Sequence, residues 1–120
     1  MRLDELLKKY CFHDSLLESI AYNEQLKTAE FEIDFCNWAQ ENYTDTQPET
    51  MMISLHFKEV KSINNYSVYL DSSTISDCKI MNTENGDGIE FVVCRDYPDG
   101  DGGVDVVQVN AGSVEFIVSE

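Results

Sequence analysis

The sequence predicts a mainly β (α+β) domain. One short N-terminal helix is followed by about eight mostly antiparallel strands, in a curved sheet, a sandwich or a partly open barrel. Three observations predict it. Apolar and polar residues alternate over residues 27–35 and 51–58, the period of a half-buried strand. Turn residues punctuate the apolar runs, as in Asn23-Glu24, Asn85-Gly86-Asp87-Gly88 and Asn110-Ala111-Gly112. Only the first ten residues keep a helical spacing, with Leu3, Leu6, Leu7 and Tyr10 on one stripe.

The helix is expected over residues 2–10. Asp4 and Glu5 lie near its positive end and Lys8 and Lys9 near its negative end. Leu16, Leu17 and Ile20 lead into a first strand ending at Tyr22, and Asn23-Glu24 turns the chain. In the second strand Phe31, Ile33 and Phe35 share one face and Glu30, Glu32 and Asp34 the other. The polar stretch 42–49 is the longest candidate loop. In the next strand Met51, Ile53, Leu55 and Phe57 alternate with Met52, Ser54, His56 and Lys58. Short strands are expected at 67–70 and 75–81. The Asn85-Gly86 signal then makes a hairpin into 89–95, which is apolar on both faces and so central. An exposed loop spans 96–103. Strands 104–109 and 114–118 form a last hairpin around Asn110-Ala111-Gly112.

At 120 residues without a Pro/Gly/Ser-rich linker, the chain is expected to be a single domain, residues 1–120. Its apolar fraction of 42 % argues against disorder. No apolar run approaches the roughly 20 residues of a membrane-spanning helix. The acidic first turn does not read as a signal peptide. Cys11, Cys36, Cys78 and Cys94 lack a C-x-x-C pairing and read as reduced thiols of a cytoplasmic protein.

Charge narrows the partners. With 23 Asp and Glu against 8 Lys and Arg, the formal charge is −15. Residues 71–120 alone carry eleven acids and two bases. Nucleic acid and anionic membrane surfaces are expected to repel such a chain, whereas a basic protein is drawn to it.

The candidate sites each have a plainer reading. His13 beside Asp14 could be a general base, but neighbours on a strand point to opposite faces. The structural alternative puts Phe12 in the core, bonds His13 to backbone and uses Asp14 or Ser15 in a turn. Cys11, His13 and His56 lack the second ligand pair of structural zinc, so neither metal nor cofactor is expected. A Cys–His nucleophile would need a spatial adjacency that spacing does not supply. Asp99-Gly100-Asp101-Gly102 has the look of a calcium loop, but its twelfth position is Gln108. Glu30, Glu32 and Asp34, with Asp99 and Asp101, are the expected contacts for a basic partner. Their plainer reading is a solvated, solubilising face. Trp38, Tyr43, Tyr66 and Tyr69 could line a pocket for a small ligand, although Trp38 is expected to pack in the core.

Phe12-His13-Asp14-Ser15, with Leu16 and Ile20 after it, resembles the opening of a group of small bacterial domains in which an FHD-type motif precedes an alternating strand. The run from Leu55-His56-Phe57-Lys58 to Val60 and Ile63 is similar to a second element of the group, an apolar strand leading to a V-x-x-I step. The group holds uncharacterised proteins and immunity proteins of polymorphic toxin systems, among them the one catalogued as immunity protein fifty. The resemblance covers residues 11–63. It implies a non-enzymatic protein that binds and blocks a cognate toxin, with the FHD residues as a fold signature and no catalytic role for His13 or Asp14. The alternatives kept beside it are a small-ligand module and an enzyme using His13. A homodimer through edge strands such as 114–118 is a further expectation.

Overall fold

The computed structural model describes residues 1–41, 43–64, 73–84, 86–95 and 103–118. Among them one helix, α1 (Leu3–Lys9), precedes six strands: β1 (Leu16–Asn23), β2 (Thr28–Cys36), β3 (Thr50–Asn64), β4 (Ser73–Thr83), β5 (Gly86–Arg95) and β6 (Gly103–Val118). A 3-10 turn at Asn37–Ala39 follows β2. All pairings are antiparallel, in the order β1-β2-β3-β6-β5-β4, and β1 meets β4 again through Leu16–Thr74 and Leu17–Ser73. The sheet therefore returns on itself. The expected strand at 67–70 lies outside the described residues. No helix among those described is long and apolar enough to cross a membrane.

The alternating strands bury the faces that their spacing predicts. Phe31, Ile33 and Phe35 of β2 and Ile53, Leu55 and Phe57 of β3 are fully enclosed, as are Ile75, Ile89, Phe91 and Val93. Each large side chain contributes about 1.5–3 kcal/mol on leaving water. Edge-to-face contacts order the rings, with Phe31 and Phe57 centroids 5.0 Å apart and Phe12 and Phe35 5.4 Å apart. β5 lies between β4 and β6, as every strand of the closed sheet lies between two others; it buries Ile89, Phe91 and Val93 and leaves Glu90, Val92 and Cys94 half-buried on its other face.

The helix closes one end of this core. Leu3 and Leu6 are buried, and Tyr10 stacks flat on Phe116 at 3.9 Å. At its start the Arg2 N–H donates to the Glu5 carboxylate, which satisfies one orphan donor. Met1 exchanges two backbone hydrogen bonds with Val114 of β6.

The expected last hairpin is not formed: residues 103–118 make one continuous strand. Asn-Ala-Gly is a turn by local preference, but long-range pairing overrides it. β3 runs alongside from Ile53 to Asn64, shifted once between Val60 and Ser62. The Asn110 carboxamide finds partners within the sheet, accepting from Ser62 Oγ at 3.1 Å and donating to the Gly86 carbonyl at 3.2 Å. Gly112 serves close approach rather than turning: a Cβ there would lie 2.3 Å from Glu59 Oε2. By contrast, the Asn85-Gly86 signal does mark a hairpin, since Thr83 pairs with Gly86, whose φ is +98°.

Candidate functional site

Two regions gather the chemistry-bearing residues: a cleft beside the FHD segment and the outer face of β2 and β3. The cleft forms where the sheet's closure ends. Past Leu16, residues 12–15 continue along β4. The Asp14 N–H donates to the Ile75 carbonyl at 2.9 Å, and the Ile75 N–H donates to that of Ser15 at 2.8 Å. His13 Nδ1 donates to the Ser76 carbonyl at 2.8 Å. Phe12 is buried and Ser15 Oγ accepts the Cys36 N–H at 2.9 Å. All four residues thus hold the join between β1 and β4.

Asp14 adopts a left-handed backbone, φ +68°, which bends its side chain back toward its neighbour. His13 Nε2 then lies 3.4 Å from Asp14 Oδ1, with both side chains exposed. The strict alternation expected from strand geometry fails here because the pair sits in a turn.

Before this join the chain diverges from β4 into α1, leaving a cleft of about 540 Å3. Its walls come from the end of α1 and the FHD segment, from Asn37, Gln40, Tyr43 and Gln47 after β2, and from Asp77 and Cys78 of β4. Gln40 braces it: its Oε1 accepts the Cys11 N–H, and its Nε2 donates to the Cys11 and Cys36 carbonyls at 2.7 and 2.9 Å. Tyr10 and Tyr43 supply ring surface. Lys9 lies 5.6 Å over the Tyr10 ring centroid and has no carboxylate within ion-pair distance among the described residues. Three of the cysteines lie in this region. Burial first, and then the Asp77 carboxylate, push the Cys78 thiol well above its ordinary range. Burial and then Asp14 raise that of Cys36. Both thiols stay protonated at neutral pH and are poor nucleophiles. All four cysteines are free, and no set of three His, Cys, Asp or Glu able to hold a metal is assembled among the described residues.

The outer face of β2 carries Glu30, Glu32 and Asp34 in one row. Across the ladder they meet His56, Ser54 and Met52 of β3. The fold thus partners two of them: His56 Nε2 is 3.5 Å from Glu30, and Ser54 Oγ donates to Glu32 at 2.8 Å. Asp34 faces the half-exposed thioether of Met52. Further out on this face, Lys58 pairs with Glu115 and holds its carboxyl below the ordinary range.

Trp38 is 51 % exposed, so the expectation that it packs in the core is corrected. It sits on the 3-10 turn just beyond β2, where the Asn37 and Trp38 N–H groups both donate to the Glu49 carbonyl. That clamp holds the turn outside the sheet. Asn37 and Gln40 line the cleft, and Trp38 does not. Asp99 and Asp101, the glycines between and beside them, and Tyr66 and Tyr69 lie outside the described residues.

No protein-family model, curated protein or solved structure matches the chain. Sequence reasoning found Tyr43 and the FHD segment but missed Tyr10, Lys9 and Gln40 as cleft residues. Tyr10 reads locally as the last residue of an apolar helix stripe. A glutamine that bonds the backbone of a residue 29 positions away leaves no local signal.

Proposed function

We propose that this chain is a non-enzymatic, acidic docking protein of the cytoplasm that binds a basic partner and blocks it by covering its working surface. An immunity protein against a cognate toxin is the form this takes, as the FHD resemblance implies. The observation that carries the reading is the row Glu30, Glu32 and Asp34, standing on one face of a rigid strand in a chain of charge −15. Met52, across the ladder from Asp34, is 40 % exposed, and Trp38, on the turn that follows β2, is 51 % exposed. Acids with an exposed thioether beside them suit a basic surface that offers an apolar recess. If the toxin is a nuclease, these carboxylates take the positions its basic groove reserves for phosphates. The same reading treats the sheet as a partly open barrel, held at β1–β4 by two residue pairs.

The test is a binding titration against the toxin domain encoded beside this chain, at low and at high salt. Tight association at low salt that weakens with added salt, and that falls at least tenfold for Glu32→Lys/Asp34→Lys, supports docking. Absence of association at low salt overturns it. So does association indifferent to the double reversal.

A further inference from the structure

We infer that the cleft beside the FHD segment is a second, independent site that binds a neutral, hydroxyl-rich ring, the chemistry of a saccharide. Its volume of about 540 Å3 suits one or two such rings. The cleft is pre-formed, because Gln40 ties its two sides together with two hydrogen bonds to Cys11 and is itself anchored by a third to the Cys36 carbonyl.

The bonding capacity left in the lining decides the ligand class. Tyr43 is held by its own hydroxyl, which donates to the Gln47 carbonyl at 3.4 Å, and its ring stacks on no other ring among those described. The half-buried ring lines the cleft, and its lining surface is what an apolar C–H face would cover. Gln47 spends its Oε1 on the Thr44 N–H, which leaves its amide N–H groups as donors. Asp77 spends Oδ1 on the Cys78 N–H, which leaves Oδ2 as an acceptor. Lys9 adds an ammonium with no carboxylate within ion-pair distance among the described residues, Lys8 a second that pairs with Asp4, and Glu41 a carboxylate. Donors and acceptors are thus interleaved around aromatic surface, and the charges of opposite sign offset one another. An anion would meet Glu41 and Asp77, and a cation would meet Lys9. A hydroxyl both donates and accepts, so a polyol ring can use every group while its C–H face covers Tyr43. Acidic docking on β2 uses none of these residues.

The experiment is a backbone-amide NMR titration of the full chain with D-glucose, D-galactose, D-mannose and N-acetyl-D-glucosamine in turn. Saturable shifts confined to residues 8–13, 37–47 and 77–78 are expected with at least one sugar. Tyr43→Ala should weaken that sugar about tenfold, the scale of one lost ring contact. Leu26→Ala, on the far β1–β2 turn, should leave its affinity unchanged. Tyr43 lies in a loop, so an otherwise unchanged amide spectrum verifies the fold of that variant. The inference is overturned if none of the four sugars gives saturable shifts, or if the shifts fall outside the cleft. It is equally overturned if Tyr43→Ala binds as tightly as the parent.

Discussion

At position 59 a glutamate holds a left-handed backbone, φ +54°, and its side chain lies over Gly112. Such a conformation costs a non-glycine residue on the order of 1 kcal/mol. Glu59→Gly should therefore stabilise the fold by about 0.5 kcal/mol, after the extra freedom of glycine in the unfolded chain is set against the relief. Gly112→Ala alone should cost about 1–2 kcal/mol, because the Glu59 side chain has to shift, and should cost close to nothing in the Glu59→Gly background. Urea midpoints of the four proteins measure this cycle, and strict additivity would refute the contact. His13 offers a second residue-level test. Loss of its bond to Ser76 in His13→Ala should cost about 1 kcal/mol, whereas a histidine serving only as surface charge would leave the midpoint where it was. Glu90 adds a pH dependence. Hydrogen bonds from Gln108 first and Lys79 second hold its carboxyl below the ordinary glutamate value. Its folded pKa is depressed, so its contribution is complete above the unfolded value and is lost as pH falls through the folded one. Glu90→Gln should lower stability near neutral pH, where that contribution is complete, and should flatten the acid limb of a stability–pH curve below about pH 4.5, so that the two proteins converge in acid.

At the scale of elements, what the sequence made legible follows from periodicity. β2 and the first half of β3 alternate every second residue, and their buried faces are those the pattern selects. The Leu3 and Leu6 stripe marked the helix to within a residue of each end. What was not legible depends on contacts across the sheet. Asn110-Ala111-Gly112 has the composition of a turn, yet β3 pairs through it and Asn110 bonds Ser62. β3 likewise runs past Lys58 by taking a bulge near Val60, which alternation cannot foresee. The candidate site divides the same way. The acid row was visible as alternate residues on one strand, whereas its partners His56 and Ser54 are fixed only by register. Ser54→Ala should leave Glu32 without its hydroxyl donor. It should lower stability by about 0.5–1.5 kcal/mol, and Glu32→Ala, which removes the acceptor, should remove most of that difference in a double-mutant cycle.

At the scale of the molecule, a charge of −15 works in two directions. Like charges repel within the compact state, so added sodium chloride should raise the melting temperature until screening saturates. The same ions should weaken docking to a basic partner. A melting temperature indifferent to salt would mean that ladder pairs such as Lys79–Glu90 and Lys58–Glu115 already balance the field locally.

The join between residues 12–17 and 73–76 has a kinetic consequence. Most neighbours in the sheet are hairpin partners, close along the chain, and each can zip from its own turn. The join instead brings together segments about sixty residues apart, as the separation of 63 between His13 and Ser76 records. The β3–β6 ladder spans a similar separation but is repaid by a long run of pairs, whereas the join carries that loop-closure cost for only a few bonds. It should be the last part of the molecule to assemble and the first to come undone. The amides of Asp14 and Ile75 should then exchange with solvent faster than those in the middle of β2 and β3. The protein would breathe at the wall of its own cleft while the rest of the sheet stays shut.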